Sequence, residues 1–306
     1  MLCHVVLTFY LGTIGGMRMH IALLLLGSIS LAAAAPKRVL IIDGQNNHQW
    51  QLTTPVLKQQ LEETGLFKVD VATTPPKGVD MAPFRPNFKP YAVIVSNYSD
   101  FGGGGVWPAE TQKDFEAYLR GGGGFVSIHA ADNAFPMWKE YNRIIGVGGW
   151  GGRTEKDGPM LRWRDGKVVP DTTPGKGGHH GKKHAYAVAI RDRAHPITKG
   201  LPETWMHMED ELYDALRGPA EHVSVLATAF SDKSTGGTGE HEPALMAIRY
   251  GKGRVFHTIL GHDVSAMQCV GFVVTFQRGA EWAATGKVTQ PVPTDFPKAD
   301  ATSERR

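Results

Sequence analysis

The chain has 306 residues, 42% of them hydrophobic and 21% charged, with a formal net charge of +3. That is enough apolar mass for a substantial core, and it excludes a disordered chain. The small charge and the lack of a Lys/Arg-rich run give no electrostatic footprint for nucleic-acid or membrane-surface binding.

At the N-terminus, Arg18 and His20 precede the apolar run 21–26, and Gly27-Ser28 leads into Leu31 and the small residues 32–35. A basic start, a short apolar stretch and an A-x-A exit predict a secretory signal over residues 1–35. The run is short for a span of about 20 residues, although an uncleaved anchor is the alternative. Met17-Arg18-Met19 is also a natural signal opening, so the start is either Met1 or Met17. Cleavage after Ala34 or Ala35 removes Cys3 and leaves Cys269 alone, so the mature chain has no internal disulfide. The expected location is the periplasm or the medium, with no membrane contact once the signal is gone.

Residues 37–43 (KRVLIID) form an apolar run of the kind buried on both faces of a parallel sheet. A helix follows, capped by Thr53 or Thr54 with Pro55 in its first turn and ended by Gly65. Residues 67–72 and 91–96 read as strands, and Pro108 opens a helix stopped by the glycines 121–124. Residues 125–129 (FVSIH) are a fourth strand. This alternation predicts an α/β fold: a flavodoxin-like three-layer sandwich with a mostly parallel sheet and helices on both faces. Between about 147 and 183 regularity breaks down around two glycine-rich stretches and a possible hairpin at Asp165-Gly166, and such a stretch is usually functional or disordered. Residues 185–190 and 223–230 are further strands. Residues 244–250 and 254–260 form a hairpin about Gly251-Lys252-Gly253. A helix over 271–284 closes the domain (36–285), and the tail 286–306 is expected to be extended and loosely attached. The chain shows no internal repeat and no linker that would split it.

Four groups of residues could carry chemistry. His129 ends a buried strand at a small-residue turn, where ligands bind in open α/β sheets, so it is either an acid/base or a core histidine. His262 and Asp263 follow the strand that carries His257 and sit at a glycine turn that can face a pocket, whereas His257 reads as a strand-face residue. The run WMHMEDELY (205–213) holds three consecutive carboxylates. By composition it is a solvated turn, since successive side chains in a strand cannot all face one site. Finally Trp150, Arg153, His179, His180 and His184 lie among flexible glycines. Rings stack on a pyranose face while charged groups bind its hydroxyls, which suits a sugar or glycoside ligand. The three histidines could instead bind a transition metal, but no H-E-x-x-H template is present, so metal binding stays open. No Walker A, G-x-S-x-G or G-x-G-x-x-G turn occurs, so no nucleotide cofactor is indicated and none is expected.

Taken together, KRVLIIDGQNNHQW, GGGGFVSIHAAD, AHPITKGLPETWMHMEDELYDALRG and YGKGRVFHTILGHD resemble the ThuA-like (trehalose utilisation) family over about residues 37–285. The glycine/histidine insert and the ending EWAATGKVT resemble an exported, planctomycete-type subgroup. The resemblance implies a class I glutamine amidotransferase-like fold and a link to trehalose, related disaccharides and their 3-keto derivatives. It places Asp43, Gly44 and His48 at the first strand end and His129 at the elbow. Asp210, Glu211 and Tyr213 form the DELY element, and His262-Asp263 the terminal motif. This raises the acidic run above the reading from composition. Amidotransferases carry a cysteine at the elbow, and a histidine cannot form the glutaminase thioester, so that activity is excluded. The reading that follows is an enzyme on an oxidised glycoside, with His129, His262, Asp210 and Glu211 as catalytic candidates. Asp43, Gly44, His48, Trp150, Arg153, His180, Tyr213 and Asp263 are the substrate-binding candidates. A 3-keto group acidifies the neighbouring C–H, so a histidine suffices where ordinary glycosidases need paired carboxylates. The alternative is a non-catalytic carbohydrate-binding module, and a homo-oligomer is possible in either case.

Overall fold

A computed structural model describes residues 35–305. The segment expected to be a signal, residues 1–35, lies outside the described residues except for its last position. The elements run, in chain order, β1 (Lys37–Asp43), α1 (Trp50–Glu62), β2 (Phe67–Thr73), β3 (Val93–Ser96), α2 (Ala109–Arg120) and β4 (Gly124–Ile128). They continue with α3 (Lys139–Ile145), β5 (Met160–Arg164), β6 (Lys167–Asp171), β7 (His179–His180), β8 (His184–Ile190), β9 (Thr204–Asp210) and β10 (Tyr213–Asp214). The chain ends with β11 (Val223–Phe230), β12 (His241–Tyr250), β13 (Gly253–Thr258), α4 (Val264–Gln268) and α5 (Val270–Thr285).

Nine strands form one sheet in the order β2-β1-β3-β4-β13-β12-β11-β8-β9. The first five are mutually parallel, as their unbroken apolar runs predict. From β13 onward every pairing is antiparallel. Seven of the nine strands still point the same way, because only β12 and β8 are reversed. The sheet is thus mixed and mostly parallel. The C-terminal ends of β1, β4, β9 and β13 share one edge.

Successive residues of β4 and β13 face opposite ways, and each side carries helices. A Cβ on Gly124 would lie 2.6 Å from the Ala283 carbonyl oxygen of α5. Phe125, the next residue, places its ring 5.1 Å from Phe115 of α2 and 6.2 Å from Tyr141 of α3. In β13, Phe256 lies against Gly279 of α5, whereas His257 binds the Ile145 carbonyl at the end of α3. His257 is a buried strand residue, as expected, and also binds Asp132 at 3.2 Å.

Several boundaries differ from the sequence reading. Helix α1 starts at Trp50, before the threonines expected to cap it. Their hydroxyls instead accept from Asn97 Nδ2 at 2.9 and 3.0 Å, which ties the helix to the end of β3. The strand FVSIH ends one residue early, at Ile128. The irregular stretch contains the expected hairpin, β5–β6, plus a bridge between β7 and β10. The last helix, expected over 271–284, is α5 (Val270–Thr285), and a short helix not read from the sequence, α4, precedes it across Cys269.

The tail is not loosely attached. Val288, Val292 and Phe296 pack on the core, with Phe296 5.5 Å from Trp205. Its backbone hydrogen-bonds to Met206, Val270 and Gln268 at 2.7–2.9 Å. Low regularity hid this, because a segment without periodicity can still bury scattered apolar residues.

Candidate functional site

The shared sheet edge gathers side chains from four strand ends. His48 follows β1, His129 follows β4, Glu211 follows β9 and His262 follows β13. His180, on β7, and Tyr213, on β10, flank them. Rings of His48 and His262 lie 4.5 Å apart, and His48 and His129 4.9 Å apart. Tyr213 stacks over His129 at 4.0 Å, with Trp150 4.6 Å from Tyr213.

The strand-to-turn elbow fixes His129. Strand β4 passes directly into a 3-10 turn, His129–Asn133, and His129 takes a left-handed φ of 44°. That costs a β-carbon residue about 1–3 kcal/mol, which the surrounding packing must offset. Arg153 helps: it is buried, and it donates to Asn142 Oδ1 and to the carbonyls of Asn133, Ala134 and Gly149. Arg153, expected at a ligand, therefore braces the elbow.

Glu211 is the centre of the cluster. The Nε2 atoms of His48, His129 and His180 lie 3.8, 3.8 and 3.9 Å from its Oε2, and His262 Nε2 lies 3.4 Å from its Oε1. Each Nδ1 faces an oxygen instead. His48 binds Asn46 Oδ1 at 3.2 Å, His129 the Ile259 carbonyl at 2.6 Å, His180 the Gly181 carbonyl at 2.9 Å, and His262 Asp263 Oδ2 at 3.3 Å. Asn46 Oδ1 also accepts the His48 backbone N–H, and its Nδ2 donates to the Asn97 carbonyl, which fixes the amide orientation. All four rings therefore carry a proton on Nδ1 and turn Nε2 to the carboxylate.

The electrostatics follow. Burial alone raises the Glu211 carboxyl, but the histidines outweigh it and hold the group ionised well below the usual range. Burial, then the neighbouring His129 and His262, lower His48, with Glu211 only partly opposing them. Burial also works against the His129 imidazolium, but Glu211, Asp210 and the Ile259 carbonyl outweigh it and raise its pKa. Side-chain exposure rises outward from 3% for His129 through 12% for His48 and 25% for His262 to 38% for His180. His262 and His180 are therefore the rings a solute meets first.

Asp210, expected as catalytic, is fully buried behind the cluster. It accepts from His207 Nε2 at 2.8 Å, and from the backbone N–H of Glu211, Gly261 and His262 at 2.8, 2.8 and 3.1 Å. It is a positioning residue. The acidic run read from composition as a solvated turn is thus the end of strand β9, with Asp210 inward and Glu211 at the cluster. Asp43 is buried away from the cluster, and its carboxyl is raised by burial. Gly44 supplies a φ of 110° where a Cβ would lie within 2.4–2.7 Å of Thr74. Asp263 caps α4 by accepting from Ala266 N–H at 2.9 Å and pairs with Lys183.

His179 and His184 do not join His180. His179 binds Asp214 at 2.8 Å and His184 the Lys182 carbonyl at 2.7 Å, so the three loop histidines share no centre. Sequence reasoning missed Asn46, Lys183 and the His207–Asp210 pair. Only the i, i+2 spacing of Asn46 and His48 hinted at the first. Two other surface clefts, one beside Pro202 and Phe296 and one beside Arg85 and Tyr118, contain no histidine.

An α/β sheet whose strand ends present a histidine–carboxylate cluster is the architecture at hand. Residues 38–283 match the family model ThuA, described as trehalose utilisation, and the chain belongs to that family. A solved ThuA-like protein from Parabacteroides merdae is 50% identical, with a TM-score of 0.85 over 88% of this chain and 98% of that one. A ThuA-like protein from Bacteroides uniformis is 18% identical, with a TM-score of 0.57 over 86% and 97% of the two chains, a likeness of fold. None of the curated proteins matches. Among the described residues, no helix is long and apolar enough to cross a membrane.

Proposed function

We propose that this protein is an exported enzyme that modifies a disaccharide of the trehalose type, in its 3-keto form, by histidine acid/base chemistry. The observation that carries the reading is the convergence of His48, His129, His180 and His262 on one ionised carboxylate at the sheet edge. A cluster of groups with displaced pKa values at such an edge is what proton-transfer chemistry requires.

His262 is the proton-transfer group: its ring lies at the mouth, and Asp263 holds its Nδ1. A base at that place takes the C–H proton acidified by the neighbouring ketone, and the electron pair left behind expels the aglycone. Glu211, with His129 and His48 around it, sets the charge opposite the reacting oxygens. Trp150 offers the face on which a pyranose ring stacks, and His180 reaches the same space; Tyr213, expected to bind substrate, is buried behind them against His129. His129, closed over by Tyr213, orients the carboxylate rather than exchanging protons with solvent.

The strand order of the parallel half, 2-1-3-4 followed by β13, supports a flavodoxin-like layered arrangement related to class I glutamine amidotransferases. Residues 1–35 serve as the cleaved export signal, in keeping with an exported subgroup of the family.

Incubation with trehalose, other plain disaccharides and their 3-keto derivatives, followed by mass spectrometry, tests the reading. Products are expected from the keto sugars alone. Saturable sugar binding without product, dependent on Trp150, would instead mark a carbohydrate-binding module.

A further inference from the structure

The same cluster has a property that acid/base chemistry does not use. With Nδ1 of every ring committed to an oxygen acceptor, the Nε2 atoms are the ones left facing the Glu211 carboxylate. Side chains that bind a backbone carbonyl or carboxylate through one imidazole nitrogen and face a common point with the other are oriented as metal ligands are.

The spacing is consistent with this. The separations of 3.8 Å from Glu211 Oε2 to His48 and to His129 are too long for hydrogen bonds. Two ligand atoms each about 2.0–2.2 Å from one ion lie about 3–4 Å apart. One ligand atom from each of His48, His129 and Glu211 falls within 4.8 Å of the others. An independent observation points the same way: His129 is only 2% exposed, yet its Nε2 has no hydrogen-bond partner. A buried nitrogen left in that state costs free energy unless another group completes it.

We propose that His48, His129 and Glu211, with His262 at the remaining Glu211 oxygen, form a site for one divalent first-row transition-metal ion, zinc in the first instance. Imidazole and carboxylate donors without sulfur suit zinc and its neighbours better than calcium or magnesium. Three protein ligands and an open outward position make a catalytic rather than a structural arrangement. A ketone or hydroxyl oxygen of a sugar at the open position would be polarised by the ion, with His262 alongside. The proposal rests on the reading of this cluster as the functional centre, and it deepens that reading by adding an ion.

The test is made on the purified protein, stripped with a chelator and checked for residual metal by elemental mass spectrometry. Zinc is then titrated by calorimetry, and cobalt(II) is added to follow its visible absorption. One ion per chain is expected, with a cobalt band stronger than that of the aqueous ion. Glu211→Gln and His48→Gln should each weaken zinc binding at least ~10-fold, while His179→Ala, outside the cluster, binds like the parent. Melting temperatures of the three variants establish that they are folded. No saturable uptake by the parent, or uptake unchanged in both cluster variants, would overturn the proposal. Saturable uptake without turnover of any sugar leaves the metal site standing and removes the enzymatic reading. Turnover by metal-free protein that takes up no ion does the reverse.

Discussion

His207 donates through Nε2 to Asp210 Oδ2 at 2.8 Å, with both side chains fully buried, and Asp210 in turn holds the backbone N–H groups of Gly261 and His262. Strands β9 and β13 are separated by three others in the sheet, so this pair is what joins the ends that carry Glu211 and His262. Asp210→Asn removes the charge facing His207 and sets an amide N–H₂ against backbone donors. Breaking a buried, hydrogen-bonded ion pair costs about 3–5 kcal/mol. Denaturant unfolding should show a loss of that size, and activity should fall with it through misplacement of His262.

The pair also sets a pH dependence. Burial works against the His207 imidazolium, but Asp210 and the Cys269 thiol together outweigh it and lift the pKa to about 9. A raised folded-state pKa contributes stability that is complete below the unfolded value of about 6.5 and is lost as pH rises through about 9. Asp210 is shifted the other way, downward, so its contribution is present above the ordinary carboxylate range and is lost in acid. Stability should therefore be greatest at about pH 5–6.5. It should decline by on the order of 3 kcal/mol between pH 6.5 and 10. His207→Gln should flatten the alkaline limb of the profile, which urea melts across this range would show.

Gly44→Ala tests the turn that delivers His48. The φ of 110° is strained for any residue with a Cβ, and the new methyl would lie 2.5 Å from the Thr74 backbone nitrogen. Strain and overlap together should destabilise the protein by about 2–5 kcal/mol. A calorimetric melting temperature unchanged within a degree would show that the turn relaxes without cost.

Removal of residues 287–306 uncovers the core against which Val288, Val292 and Phe296 pack and leaves the Arg278 guanidinium without the Gln290 carbonyl. The truncated chain should lose at least ~2 kcal/mol. Amide exchange should quicken in β9 and α5, whose residues Met206 and Val270 donate to tail carbonyls.

Much of this architecture was legible in the sequence because its signals are local. The run 37–43, the helix opened by Pro108 and the hairpin about Gly251-Lys252-Gly253 each announce themselves within a few residues. His129 and His262 were legible as strand-end residues, whereas His48 and Glu211 came forward only through the family resemblance. Their convergence was not legible. It depends on β9 running in the same direction as β1, β4 and β13 although it lies at the far edge of the sheet. No local pattern encodes that. The inward turn of Asp210 and outward turn of Glu211 depend on where the last residue of β9 falls. A shift of one residue would exchange their roles, and composition says nothing about register. The packing of the tail was hidden for a related reason: three separated apolar residues in an irregular segment have no period to detect.

In the proposed reaction His262 transfers the proton at a site organised by Glu211. The most direct measurement is the kcat/KM of His262→Ala against the parent on a 3-keto disaccharide, with melting temperatures recorded for both. If His262 is the proton-transfer group, the loss is about 10²–10⁴-fold, the usual contribution of one acid/base group, at a nearly unchanged melting temperature. Turnover equal to that of the parent would contradict it.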